Sequence, residues 1–371
     1  MIIAGYVLFF LYTVLIISLA IGVLKVKNNN DTVKQHQNSF SVIIPFRNEA
    51  KNLPALLNSI SNIDYTKKLV EFIFVDDASI DTSLKVVEAA IFNNLDTNIT
   101  VLKNNRTTNS PKKDAITTAI TEAKNQWIIT TDADCILSKK WLSSFDAFIQ
   151  KKNPNMVVAP VNYSAKNSFL EQFQLLDFLS MQATTIGGFG LDFPFLCNGA
   201  NLAYKKNTFL KLEGFKGNED IASGDDIFLF EKFIKDNKKK VLYLKSKSAI
   251  VTTFPVNSWL KLLHQRTRWA AKTSNFNSFK VKTIGLLVFA ANLFIILCLA
   301  TKYFNLAVYL LAFKVGVDFF LFLTASRFFN VKNSFFKWYV IASIVYPFFS
   351  TLVVFNSLFF KYSWKGRVFK K

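Results

Sequence analysis

The chain has 371 residues, 51% of them hydrophobic and 15% aromatic, with a formal charge of +20 at pH 7. So apolar a composition excludes a disordered tail, and three cysteines as widely separated as Cys135, Cys197 and Cys298 exclude a disulfide-stapled miniature domain. Two histidines build no zinc site with those cysteines, so the pattern is that of a membrane-attached protein of a reducing compartment.

Lysine carries the charge. Only six of the 45 basic residues are arginine: Arg47, Arg106, Arg266, Arg268, Arg327 and Arg367. A blanket lysine excess in a chain also rich in Asn, Ile and Phe reflects codon bias and attraction to anionic lipid, so nucleic acid is not an expected partner. Each scarce arginine marks a position where a lysine point charge does not suffice.

In chain order, residues 1–24 carry no charge and are long enough to span a bilayer. No basic segment precedes them and no small-residue cleavage site follows, so they read as an N-terminal transmembrane anchor rather than a signal peptide. Lys25, Lys27 and Lys34 come next, which puts the N-terminus outside and the following domain in the cytoplasm. Phe40 to Pro45 is a short apolar run of the kind that forms a buried parallel strand. Helical spacing over 52–63 is followed by a second strand over 70–75, helical spacing over 82–91 and a third strand over 99–103. Residues 112–123 read as helix, and 127–131 as a fourth strand that runs straight into Asp132-Ala133-Asp134. This alternation predicts βαβ units and a parallel sheet covered on both faces. Gly187-Gly188-Phe189-Gly190 follows no predicted strand and reads as a flexible loop near an acceptor site.

Residues 256–282 form an amphipathic interface segment, in which Trp259, Leu262 and Leu263 are expected on the bilayer surface. Residues 283–360 are apolar again, in two to three segments. Thr283–Thr301 is uncharged, Tyr303–Ser326 holds Lys314 and Asp318 four residues apart and able to pair, and Trp338–Phe360 has Pro347 in its middle. Three full spans would leave the basic tail of 361–371 outside, against the positive-inside rule. Either Pro347 marks a re-entrant hairpin or one segment lies in the interface.

The carboxylates are the informative part. Asp76/Asp77 and Asp132/Asp134 both follow predicted strands, and ligands of open α/β sheets bind at the carboxyl ends of the strands. Acidic pairs without His or Cys suit a hard cation, Mg²⁺ or Mn²⁺, that bridges phosphate oxygens. Asp225 and Asp226 open a further helical stretch. Arg266 and Arg268 beside Trp269 look chosen for a polyanion such as a diphosphate.

Taken together, SVIIPFRNEA (41–50), VDDAS (75–79), SPKKDAI (110–116), TTDADC (130–135), CNGANLAY (197–204), GDDIFLF (224–230) and QRTRW (265–269) resemble the inverting family 2 glycosyltransferases, in that family's order and spacing. The similarity is to membrane-bound members such as ceramide glucosyltransferase, hyaluronan synthase and cellulose synthase. It implies an α/β, GT-A, Rossmann-like nucleotide-diphospho-sugar transferase domain over 28–255, with N- and C-terminal transmembrane helices. By the same resemblance Pro45, Arg47 and Glu49 line the nucleotide end of the first strand, and Asp76 or Asp77 binds the nucleoside, usually uridine. Lys112 or Lys113 contacts the phosphates, Asp132 and Asp134 hold the metal with Asp134 as direct ligand, and Asp226, beside Asp225, is the general base. Gln265, Arg268 and Trp269 match the QxxRW signature that closes over the donor.

The implied reaction is transfer from a nucleotide-diphosphate sugar to a lipid or membrane-borne glycan acceptor, at the bacterial inner membrane. Gly224-Asp225-Asp226 stands where many polysaccharide synthases have Thr-Glu-Asp, and Pro111 where relatives often have Gly. The spans are few and mostly Phe, Leu and Val, unlike a polymer channel, which favours a non-processive enzyme over a processive synthase. A non-catalytic membrane scaffold is the rival from another class. Trp364-Lys365-Gly366-Arg367 resembles a tail of some bacterial members and is given no catalytic role.

Overall fold

In the computed structural model, the described residues are 2–369 apart from 32, 34, 94–97, 222, 273–277, 332–333, 361 and 365–366. Lys34 and, in the basic tail, Lys361, Lys365, Gly366, Lys370 and Lys371 therefore lie outside the described residues. The chain divides into two compact units, one of Met1–Val26, Tyr163–Leu196 and Pro255–Lys371, the other of Lys27–Asn162 and Cys197–Phe254.

Helix α1 (Ile2–Lys25) opens the chain and is followed by strand β1 (Phe40–Phe46), helix α2 (Leu53–Ser61) and strand β2 (Val70–Asp76). Helix α3 (Ser83–Phe92), strand β3 (Ile99–Lys103), helix α4 (Pro111–Glu122), strand β4 (Trp127–Thr130) and helix α5 (Trp141–Lys152) complete the expected alternation. Strand β5 (Met156–Val158) and strand β6 (Val161–Tyr163) lead to helix α6 (Phe169–Gly190). The chain then returns through strand β7 (Leu202–Lys205), helix α7 (Lys206–Lys211), helix α8 (Ile227–Asn237) and strand β8 (Val241–Tyr243). It ends in helices α9 (Trp259–Ala271), α10 (Phe279–Leu299), α11 (Phe304–Phe329) and α12 (Ser334–Phe359), with a short antiparallel pair, Tyr362–Trp364 and Arg367–Phe369, in the tail.

The sheet unit holds seven strands in the order β3-β2-β1-β4-β7-β5-β8. β1 lies in the interior of the sheet, between β2 and β4, and nearly every residue of FSVIIPF is buried, as a strand covered on both faces requires. It pairs in parallel with β2, Ile43 opposite Ile73, and with β4, Ile43 opposite Thr130. The carboxyl ends of β1, β2 and β4 therefore emerge on one edge. The sheet is mixed rather than wholly parallel, since β7 runs antiparallel to both β4 and β5. A parallel partner needs a crossover helix packed on the same sheet. The helix between β6 and β7 is α6, which belongs to the other unit, so nothing obliges β7 to run parallel.

In the helical unit, α1, α10, α11 and residues 336–359 of α12 are long and apolar enough to cross a membrane. α12 is continuous through Pro347, so that proline does not sit at the tip of a hairpin. Lys314 and Asp318 pair as expected, at 2.6 Å, and the Tyr12 hydroxyl donates to the same carboxylate at 2.6 Å.

The expected loop at 187–190 is instead the last turn of α6. Gly22 of α1 lies against the Gly187 carbonyl, and Gly190 against the Gly22 carbonyl, with no room for a Cβ on any of the three. Small residues in such a crossing let two helix backbones touch, which outweighs the poor helix propensity of glycine. The apolar face of α9, expected on lipid, is partly occupied by protein. Leu262 is fully buried, and Trp259 packs on Phe169 and Phe173 of α6 and Phe349 of α12.

Candidate active site

At the carboxyl edge of the sheet the loops after β1 and β2 are tied together. Pro45 lies within β1 opposite Val75, and Arg47 just beyond it donates to the carbonyl of Asp77 at 2.7 Å and to that of Ala78. Asn48 and Ala78 both adopt positive φ, 54° and 57°, a strained backbone of the kind that concentrates at ligand sites. The Glu49 carboxylate accepts from Asn52 Nδ2 at 2.6 Å, and the Glu49 amide donates to Ser83 Oγ at 2.7 Å. Asp76 Oδ1 accepts the Ser79 amide at 3.0 Å. The buried Asp77 Oδ1 accepts from Asn104 Nδ2 at 2.8 Å and from Arg106 Nε at 2.6 Å. Asn104 and Arg106 were not among the expected site residues. For Arg106 the available signal is its rarity in a lysine-rich chain.

The second half of this edge is ionic. Pro111 begins α4, and its neighbour Lys112 places Nζ 2.7 Å from Asp132 Oδ1 and 3.2 Å from Asp225 Oδ2. Burial pulls the Lys112 ammonium towards neutrality, but the carboxylates of Asp132, Asp225 and Asp226 outweigh it and hold its pKa well above the ordinary lysine value. Lys113 departs from the phosphate-contact expectation. It is buried, donates to the carbonyls of Asn218 at 2.5 Å and Ile221 at 2.8 Å, and lies 5.1 Å from the centre of the Phe228 ring, thereby fastening the loop before α8.

Asp226 caps α8. Its Oδ1 accepts the Ile227 amide at 2.8 Å and its Oδ2 the Gly199 amide at 3.2 Å. A Cβ on Gly199 would stand 3.2 Å from Asp225 Oδ2, so a glycine there allows the backbone to approach both carboxylates. Asp134 lies beside Cys135, whose thiol is pushed up by burial and then by Asp134 and Asp132, which keeps it protonated and unreactive.

Among the described residues no three His, Cys, Asp or Glu side chains are grouped closely enough to cage a metal ion. Mg²⁺ and Mn²⁺ commonly take one or two carboxylates and complete their shell with substrate phosphates and water. Asp132 and Asp134 are hard-oxygen donors of that kind, and Asp132 Oδ1 is met in this structure by the Lys112 ammonium at 2.7 Å.

The expected QxxRW residues lie in the helical unit, on α9. Gln265, Arg268 and Trp269 are half-buried there. Arg266, expected to face a polyanion with Arg268, is instead buried in an ion pair with Asp177 of α6. Its Nη1 donates to Gln265 Oε1 at 2.5 Å, and its guanidinium stacks 4.2 Å from the centre of the Trp269 ring.

Residues 41–206 match the family described as Glycosyl transferase family 2. The chain carries a family 2 glycosyl transferase domain. It is similar to poly(ribitol-phosphate) beta-N-acetylglucosaminyltransferase TarS of Staphylococcus aureus strain Mu50, 31% identical over 119 residues, which are 32% of this chain and 20% of TarS. It is also similar to the undecaprenyl-phosphate 4-deoxy-4-formamido-L-arabinose transferase of Proteus mirabilis, 37% identical over 98 residues, 26% of this chain and 29% of that protein. The chain thus matches less than a third of the length of either relative. Among solved structures, a mannosyltransferase from Pyrobaculum calidifontis, in complex with GDP-Man and Mn²⁺, superposes with a TM-score of 0.61 over 96% of both chains at 16% identity. That likeness is one of fold, a mixed α/β sheet of GT-A-like form.

Proposed function

We propose that this protein is an inverting glycosyltransferase of a bacterial inner membrane. It moves one sugar from a nucleotide-diphosphate sugar, first among them a UDP-sugar, to a hydroxyl of a lipid-linked or membrane-borne acceptor. The observation that carries the reading is the convergence on one ammonium, Lys112 Nζ, of Asp132 at 2.7 Å and Asp225 at 3.2 Å, from the ends of β4 and the start of α8. The relatives' names support a cell-envelope acceptor, and the structural neighbour's support a nucleotide-diphosphate donor with a divalent cation. Four apolar helices, with Lys25 and Lys27 at the end of the first, support a multi-pass arrangement with the family 2 domain in the cytoplasm.

In this reading Asp226 takes the proton of the acceptor hydroxyl as it attacks the anomeric carbon in line with the departing diphosphate. Asp226 Oδ1 accepts the Ile227 amide and Oδ2 the Gly199 amide, contacts that orient the carboxylate. Lys112, held cationic by its carboxylate neighbours, meets the negative charge that grows on the leaving group. Asp134, with Asp132, would hold Mg²⁺ or Mn²⁺, which would supply Lewis acidity towards the same leaving group. Asp76 and Asp77 serve the nucleoside, with Arg106 and Asn104 fixing the Asp77 carboxylate. Gln265, Arg268 and Trp269 are assigned to the leaving diphosphate on their sequence match. No covalent enzyme intermediate is needed.

Calorimetric titration of UDP, GDP and TDP into the detergent-purified protein, with and without Mn²⁺, tests the reading without knowledge of the acceptor. One nucleotide is expected to bind in a metal-dependent way and to lose that binding in Asp134→Asn. A folded wild-type protein that binds none of the three with metal overturns it and leaves the scaffold as the better account.

A further inference from the structure

Arg266 is one of the two positions that QxxRW leaves unspecified, yet it touches both of the motif's outer residues. Its Nη1 donates to Gln265 Oε1 at 2.5 Å, and its plane covers the Trp269 ring at 4.2 Å. A guanidinium has only donors, so the Gln265 amide must turn its oxygen to Arg266 and present its NH₂ group elsewhere, as a donor. The pose of Gln265 and Trp269 is therefore set by where Arg266 points. Arg266 is in turn held by the Asp177 carboxylate of α6, both side chains being almost wholly buried, and it also hydrogen-bonds Tyr163. Asp177 is itself hydrogen-bonded by Tyr346 of α12. A buried ion pair contributes little to stability over an apolar isostere, and its best-attested use is to fix one arrangement among several.

The geometry points to Asp177 as a positioning residue: a carboxylate of α6 that acts through Arg266 to orient the Gln265 amide and the Trp269 ring. The inference rests on the transferase reading for what Gln265 and Trp269 contact, but the coupling lies wholly within the helical unit. It takes Asp177 out of the list of incidental buried charges and explains why a chain that avoids arginine uses one here. Lysine would pair with Asp177 but has neither a second donor plane for Gln265 nor a flat face for Trp269.

The test compares Arg266→Lys, Asp177→Asn, Gln265→Ala and the double variant Asp177→Asn/Gln265→Ala with wild type in detergent. Two readouts are taken: Mn²⁺-dependent UDP, GDP and TDP binding, and the emission of Trp269, isolated by subtracting the matching Trp269→Phe protein. Arg266→Lys is expected to lower nucleotide affinity about tenfold and to shift the Trp269 emission while the unfolding midpoint is retained. Asp177→Asn is expected to lower affinity similarly, and to have a smaller effect once Gln265 is alanine, the remainder passing through Trp269. Additive losses in the double variant, or an Arg266→Lys protein with wild-type affinity and wild-type Trp269 emission, overturn the proposal. If Asp177→Asn does not fold, Arg266→Lys decides alone. If wild type binds no nucleotide, the transferase reading fails separately, and an unchanged Trp269 emission in Arg266→Lys still overturns the coupling.

Discussion

The two units bury charge in different ways. In the helical unit charges come as matched pairs, Arg266 with Asp177 and Lys314 with Asp318, each partner already in contact with its counter-ion. At the sheet edge one ammonium, Lys112, is shared by Asp132, Asp225 and Asp226. Matched pairs answer the cost of taking an ion out of water and are complete within the protein. A shared ammonium answers a different need, since carboxylates gathered around one cation are the setting in which a ligand that brings its own metal and phosphate changes the balance. The Lys112 cluster therefore differs from those pairs in stoichiometry rather than in burial.

The contrast is broken most severely by removing the proposed base. Asp226→Asn is expected to lower turnover by about 10²–10⁴ while donor binding measured by calorimetry is retained. An equal loss of binding would make Asp226 part of the donor pocket. Lys112→Met should weaken nucleotide binding by about 10–100-fold, whereas Lys314→Met should leave nucleotide binding alone and show only in the melting curve. Gly22→Ala places a methyl against the Gly187 carbonyl and is expected to cost about 1–3 kcal/mol, read as a lower unfolding midpoint in detergent.

The smallest effect is a flat line. A lysine whose folded pKa is raised contributes its full stability below the unfolded pKa and loses it only as pH climbs through the folded one. The stability difference between wild type and Lys112→Met should then be constant from about pH 6 to 9 and decline only above the ordinary lysine range. A slope within that window would mean that burial, not the carboxylates, governs Lys112.

The strands that lead to the candidate site were legible because β1, β2 and β4 are short, mostly apolar runs and β2 and β4 run into Asp-rich turns, a local pattern. The direction of β7 was not, because four residues carry no record of the path by which the chain reaches them. α6 escaped notice for a similar reason. Its polar residues Gln172, Gln174, Asp177 and Gln182 are all buried, so no clean apolar stripe appears, and its glycines imitate a loop. Lys112 and Lys113 are adjacent on a helix and diverge by about 100°, a difference that separates their contacts but is invisible until the helix is placed. The scarcity of arginine draws attention to Arg266 but not to its partner, which stands 89 positions earlier, beyond the reach of any spacing rule.

The glycine crossing between α1 and α6 has a consequence for how the protein is made. α1 leaves the ribosome well before α6, the helix that fits its glycine face, which follows roughly 140 residues later, about 10–30 s at ordinary synthesis rates. Through that interval the first helix must persist without its native neighbour while the strands β1 to β6 are translated. It is thus no interchangeable tether. Replacing it with a generic anchor, or trimming it to obtain a water-soluble fragment, would remove the surface against which α6 is shaped.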